Sequence, residues 1–128
     1  MKKLVFLLLA VMLLTACGQD KEKDREAVYV NITAEEAKQI MDSEEGYIIL
    51  DVREQDEYDA GHIPGAILIP YTQIAEKAED VLADKDQLIL VYCRSGRRSK
   101  IAAEALVELG YTNIKEFGGI IDWPYEVE

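Results

Sequence analysis

From Ala27 onward, short apolar runs alternate with stretches in which apolar residues recur every three or four positions. Residues 28–30 read as a short strand. Thr33 and Glu36 have the spacing of a capping box, and Ala37, Ile40 and Met41 share one helical face behind it, with Gly46 as the stop. Residues 47–52 (YIILDV) form a nearly unbroken apolar run, as in strands covered on both faces of a parallel sheet. Residues 54–58 predict a short helical turn, and residues 67–69 a third strand ended by Pro70. A helix is predicted from Thr72 or Gln73 to Leu82, with Ile74, Ala78, Val81 and Leu82 turned inward. Residues 87–92 (QLILVY) are the clearest central strand and residues 99–109 the clearest helix. The core stripe of that helix reads as Ile101, Ala105, Leu106 and Leu109, with Gly110 where a C-cap glycine belongs. Residues 113–117 predict a last strand, broken by Gly118 and Gly119. Strands alternating with helices predict a single α/β domain, with a mainly parallel central sheet flanked by helices.

The start of the chain has a different pattern. Lys2 and Lys3 precede an apolar run over residues 4–14, and then come Thr15, Ala16 and Cys17. The run is about half the roughly twenty residues of a bilayer-spanning helix. A basic start, a short apolar stretch and small residues before a processing site read as a secretory signal peptide. Leu14-Thr15-Ala16-Cys17 resembles the lipobox of bacterial lipoproteins. That resemblance implies a signal peptide over residues 1–16, a diacylated Cys17 and an extracytoplasmic protein anchored to a bacterial membrane, two acyl chains holding far better than one. Residues 17–27 then comprise the lipidated cysteine and a charged tether, and residues 28–128 the folded domain.

Charge and cysteine content narrow the function. The net charge is −11, and loss of Lys2 and Lys3 would make it about −13. Such acidity argues against nucleic acid, whose binding rests on neutralised phosphates, and against electrostatic adhesion to anionic lipid. The chain has two cysteines. With Cys17 acylated, Cys93 is the sole thiol of the mature protein, which excludes an internal disulfide and marks Cys93 as a reactive candidate.

Cys93 falls between the clearest strand and the clearest helix, in the segment CRSGRRS over residues 93–99. Ligands of parallel α/β sheets gather beyond the carboxyl ends of strands. Gly96 permits a backbone that curls its N–H groups inward, and the following helix presents its positive end to the same place. Arg94, Arg97 and Arg98 crowd the sulfur with cations. Each effect favours thiolate over thiol.

This segment resembles the active-site loop of rhodanese-like sulfurtransferases, in which a cysteine opens a six-residue cradle, here residues 93–98. Residues 51–70 (DVREQDEYDAGHIPGAILIP) resemble the family's N-terminal signature, and residues 117–123 (FGGIIDW) its usual ending. The resemblance spans residues 28–123. It implies that Cys93 attacks the outer sulfur of thiosulfate or a similar anionic donor, becomes a persulfide, and passes the sulfur to a thiol or to cyanide, a double displacement. Arg94, Arg97 and Arg98 would draw in the donor, the Gly96 turn would shape the cradle, and Ser95 and Ser99 would hydrogen-bond the persulfide unless Ser99 merely caps the helix. No metal or organic cofactor is implied.

Other residues read as structural: His62 in a turn, Asp51 and Arg53 as a pair with each other or with neighbouring loops, and Trp123 as core. A phosphatase or arsenate reductase of related fold would need an arginine at position 99, where this chain has Ser99. A persulfide carrier or partner-binding module without turnover is the rival from another class. A thiol-redox protein would need a second cysteine in the mature chain.

Overall fold

The computed structural model describes residues 28–128. The signal segment 1–16, Cys17 and the tether to residue 27 lie outside the described residues. The centre of the molecule is the apolar run before Cys93. It forms strand β4 (Ile89–Cys93), all five residues of which are buried. Its side chains alternate across the sheet as strand geometry requires. Ile89, Val91 and Cys93 enter one core cluster, and Leu90 and Tyr92 enter the other. An apolar run of this kind is stable only with both faces covered.

The other strands are β1 (Val30–Asn31), β2 (Ile48–Asp51), β3 (Ile67–Leu68) and β5 (Ile114–Gly119). They form one five-stranded sheet in the order β1-β5-β4-β2-β3, with every pairing parallel. Helix α1 (Ala34–Ser43) covers one face, and helices α3 (Ile74–Val81) and α4 (Arg97–Glu108) cover the other. The short helix α2 (Gln55–Ala60) follows β2. Among the described residues no helix is long and apolar enough to cross a membrane.

Local signals explain most boundaries. Thr33 caps α1 with a complete capping box, its hydroxyl accepting from the Glu36 N–H while Glu36 accepts from the Thr33 N–H. The end of α4 is a Schellman motif: the Gly110 N–H bonds the Val107 carbonyl and the Tyr111 N–H the Leu106 carbonyl, with Gly110 at a φ of 99°. Asp51 and Arg53 do pair, Nη2 to Oδ2 at 2.7 Å, and the Tyr92 hydroxyl donates to the same carboxylate at 2.5 Å. The Arg53 Nη2 also reaches the Gly61 carbonyl at 2.8 Å. This buried cluster ties the loop after β2 to β4.

Several predicted boundaries shift. Helix α1 ends at Ser43, before Gly46, because Glu44 is already extended. The helical segment after Pro70 opens as a 3₁₀ turn (Tyr71–Gln73) before α3. Val81 is half exposed, whereas Leu82 turns inward as expected. Helix α4 begins at Arg97, two residues early, and its buried stripe is Ser99, Ala102, Ala103 and Leu106. Ile101 faces outward at 40% exposure. Small side chains occupy the stripe because they let α4 approach the sheet closely. Finally, Gly118 and Gly119 do not end β5. The strand runs through both, with an irregular register opposite Val91 and Cys93.

Candidate active site

Cys93 is the last residue of β4, and four residues later the chain is helical. Such a reversal needs a left-handed residue, and Gly96 supplies it at a φ of 111° as the N-cap of α4. The Gly96 N–H then donates to Cys93 Sγ at 3.0 Å. The sulfur therefore accepts from the first free amide of a twelve-residue helix, at the end where the backbone dipole favours negative charge. Burial pushes the Cys93 thiol up. The Ser99 hydroxyl and the N–H groups of Ser99, Gly96 and Ser95 more than offset this, and the thiol lies below its ordinary value.

The loop is held from beneath by β5. A Cβ at Gly119 would fall 2.0 Å from the Arg94 carbonyl oxygen and 2.5 Å from the Ser95 Cα, so only glycine lets the strand pass there. The Ile121 N–H donates to that same Arg94 carbonyl at 3.2 Å. Behind the sulfur, the Ser99 hydroxyl lies 3.4 Å from Cys93 Sγ, 3.1 Å from the Gly96 carbonyl, and in short contact with Glu116 Oε2. Ser99 is thus inside the cradle and does not cap the helix.

The three arginines divide. Arg98 makes a bidentate contact with Glu57, at 2.8 and 2.9 Å, and so fastens α4 to α2. Its guanidinium holds the Glu57 carboxyl down to about 2. Arg94 and Arg97 are exposed and form no ion pair among the described residues. They, with exposed Ser95, remain available to an anion. His62 stacks on Tyr58 with ring centroids 3.8 Å apart, and its Nδ1 meets the Tyr58 carbonyl at 2.9 Å, which is a structural setting. Trp123 is buried with Phe117 in the α1-side core. Glu116, 2% exposed, is the site residue that sequence reasoning missed. Its signal was an acid two positions after Ile114 on the inward row of a strand. A surface cavity of about 190 Å³ lined by Tyr47, Trp123 and Tyr125 includes no residue of the Cys93 loop. Among the described residues no cluster of His, Cys, Asp or Glu has the arrangement of a metal site.

The profile of the Rhodanese-like domain matches residues 33–124. The chain is 35% identical over 112 residues to the Bacillus subtilis protein named "Putative sulfur carrier protein YrkF", covering 87% of this chain and 60% of that protein. It is 40% identical over 73 residues to thiosulfate sulfurtransferase PspE of Escherichia coli, covering 57% of this chain and 70% of that one. A rhodanese-related protein from Thermoplasma volcanium superposes with a TM-score of 0.68 at 34% identity, covering 78% of this chain and 98% of that structure.

Two substitutions test this geometry. Gly119→Ala must displace the Arg94 carbonyl, and we expect a loss of about 3 kcal/mol or more, read by urea unfolding, with altered alkylation of Cys93. Glu57→Gln tests the α2–α4 tie. A carboxyl depressed from 4.5 to about 2 contributes stability that is complete above its unfolded value and is lost as pH falls through the folded one. Allowing for its partial exposure, we expect the variant to lose about 1–2 kcal/mol at pH 7. The two proteins should converge in urea midpoint as pH approaches 2.

Proposed function

The chain belongs to the rhodanese-like domain family, and from that premise we propose that it is a sulfurtransferase whose nucleophile is Cys93. The observation that carries the reading is the 3.0 Å bond from the Gly96 N–H to Cys93 Sγ, at the positive end of α4 and beside two arginines, Arg94 and Arg97, that are exposed. A thiolate is stabilised there without a separate general base.

The reaction is a double displacement on sulfur. Arg94 and Arg97 attract an anionic donor such as thiosulfate. The Cys93 thiolate attacks its outer sulfur, a new S–S bond forms, and the bond to the sulfonate sulfur breaks with its electron pair leaving on sulfite. The persulfide carries the negative charge on its outer sulfur, within reach of loop N–H groups. A thiol acceptor, or cyanide in an assay, then takes that outer sulfur and returns Cys93 as thiolate. Cys93 has no exposed surface at rest, so loading requires the exposed Arg94–Ser95 edge to give way. Arg98 contributes by fixing the start of α4, because its guanidinium is already committed to Glu57.

We also propose that the domain is displayed outside the cytoplasm on a lipid anchor at Cys17. The support is the order of charges, apolar run and small residues before that cysteine. Detergent-phase partitioning tests it: Cys17→Ser should move the protein from the detergent phase to the aqueous phase, and equal partitioning of both proteins would refute the anchor.

The function is tested by thiosulfate:cyanide sulfur transfer with the purified chain. We expect turnover with ping-pong kinetics and its loss, by about 10³-fold or more, in Cys93→Ser. A persulfide that forms on Cys93 without turnover would instead identify a carrier, and hydrolysis of a phosphate ester would replace the sulfur reading altogether.

A further inference from the structure

Glu116 is a buried acid that neither the Asp51–Arg53 pair nor the sulfur chemistry uses. It occupies an inward position of β5, paired in register with Val91, where the neighbouring inward residue Ile114 is part of the apolar core. A charge in such a place is costly unless its lone pairs are met. Those that meet it are all donors. The Ser99 hydroxyl and the Gly118 N–H, the latter at 3.0 Å, approach Oε2, and the Lys100 ammonium stands 3.6 Å from Oε1. Its oxygens therefore act as acceptors. No other charged side chain lies within ion-pair reach of it among the described residues.

Ser99 has a single hydroxyl hydrogen, and several acceptors surround it. These are Glu116 Oε2, the Gly96 carbonyl at 3.1 Å, the Gly118 carbonyl at 3.4 Å and Cys93 Sγ at 3.4 Å. The shortest contact is the one to the carboxylate, and charge-assisted bonds are the strong ones. While the hydrogen points to Glu116, Ser99 offers Cys93 only a lone pair, which suits a thiol donating its own S–H. A thiolate or persulfide has no hydrogen to give and needs the one on Ser99. Glu116 and Cys93 therefore compete for it.

We propose that Glu116 is a positioning residue of the Cys93 site, acting through Ser99: its carboxylate holds the Ser99 hydroxyl hydrogen away from the sulfur and so opposes ionisation of Cys93. Its negative charge, one hydroxyl removed from the sulfur, acts in the same direction. The opposing cations are Lys100, which also reaches the Gly96 carbonyl at 3.4 Å, Arg98 in its contact with Glu57, and the exposed Arg94 and Arg97. The restraint has a use in the sulfur transfer proposed above, on which its significance rests. A thiolate of very low proton affinity is also a poor nucleophile. In a persulfide, moreover, the charge moves outward by one S–S bond of about 2 Å. Glu116 therefore weighs more against the empty thiolate than against the loaded one.

The test is the pH dependence of Cys93 alkylation by iodoacetamide in the full chain, followed on the Cys93 peptide by mass spectrometry. Glu116→Gln should lower the midpoint by about one unit or more, seen as roughly tenfold faster alkylation on the acid limb. Ser99→Ala, which keeps its Cβ in place, should raise the midpoint by less than Glu116→Gln lowers it, because the Ser99 hydrogen that helps hold the sulfur is shared with Glu116. In the Ser99→Ala background, the Glu116→Gln shift should fall by at least half. An unchanged or raised midpoint in Glu116→Gln overturns the proposal. So does a full-unit rise in Ser99→Ala, which stands as a test by itself should the glutamine variant not fold. Alkylation needs no sulfur donor, so a chain inactive with thiosulfate that still shows these shifts refutes the preceding reading and leaves this one standing.

Discussion

The site depends on one close approach of backbone to backbone. At Gly119 the last strand passes directly beneath the loop that carries Cys93, with no room for a Cβ between them. That contact brings β5 alongside the end of β4, lets the Ile121 N–H bond the Arg94 carbonyl, and sets Glu116 behind Ser99. The loop is thereby fixed from below as well as from its own two ends. Backbone contacts thus help keep its amides oriented on the sulfur, and preorganised donors of this kind cost little at the moment of reaction.

Electrostatically the site runs against the molecule that carries it. The chain is strongly acidic, yet Arg94 and Arg97 stand exposed on the rim, without an ion pair among the described residues, beside Arg98 and Lys100. Two acids at the site are tied up by their neighbours: Glu57 locks Arg98, and Glu116 is enclosed by donors. An anion approaching from solution therefore meets a general repulsion and one local attraction, which steers it toward the loop.

The parts of this arrangement that the sequence made legible are the local ones. The capping box at Thr33, the Gly110 stop and the apolar run into Cys93 are written in neighbouring residues, and each appears as read. The loop was legible because glycine and arginine in that spacing leave few other uses. The stripe of α4 was misread because Ser99, Ala102 and Ala103 do not look like a core. Small side chains are what a tightly seated helix buries, whereas larger Ile101 points outward. The contacts that refine the site are distant in the chain. Arg98 meets Glu57 across 41 positions and Ser99 meets Glu116 across 17, so nothing in either local segment announces them. A glutamate in a strand reads as outward-facing until the sheet's register turns it inward.

The two border strands, β1 and β3, are only two residues long apiece. A parallel sheet this small leaves an unsatisfied ladder at each margin, and such margins are where identical chains zip together. Here each margin strand offers few free amides to a second copy, and a net charge of −11 makes copies repel one another. That brevity lowers the tendency of neighbouring copies to pair edge to edge, while Cys93 stays on the interior strand β4.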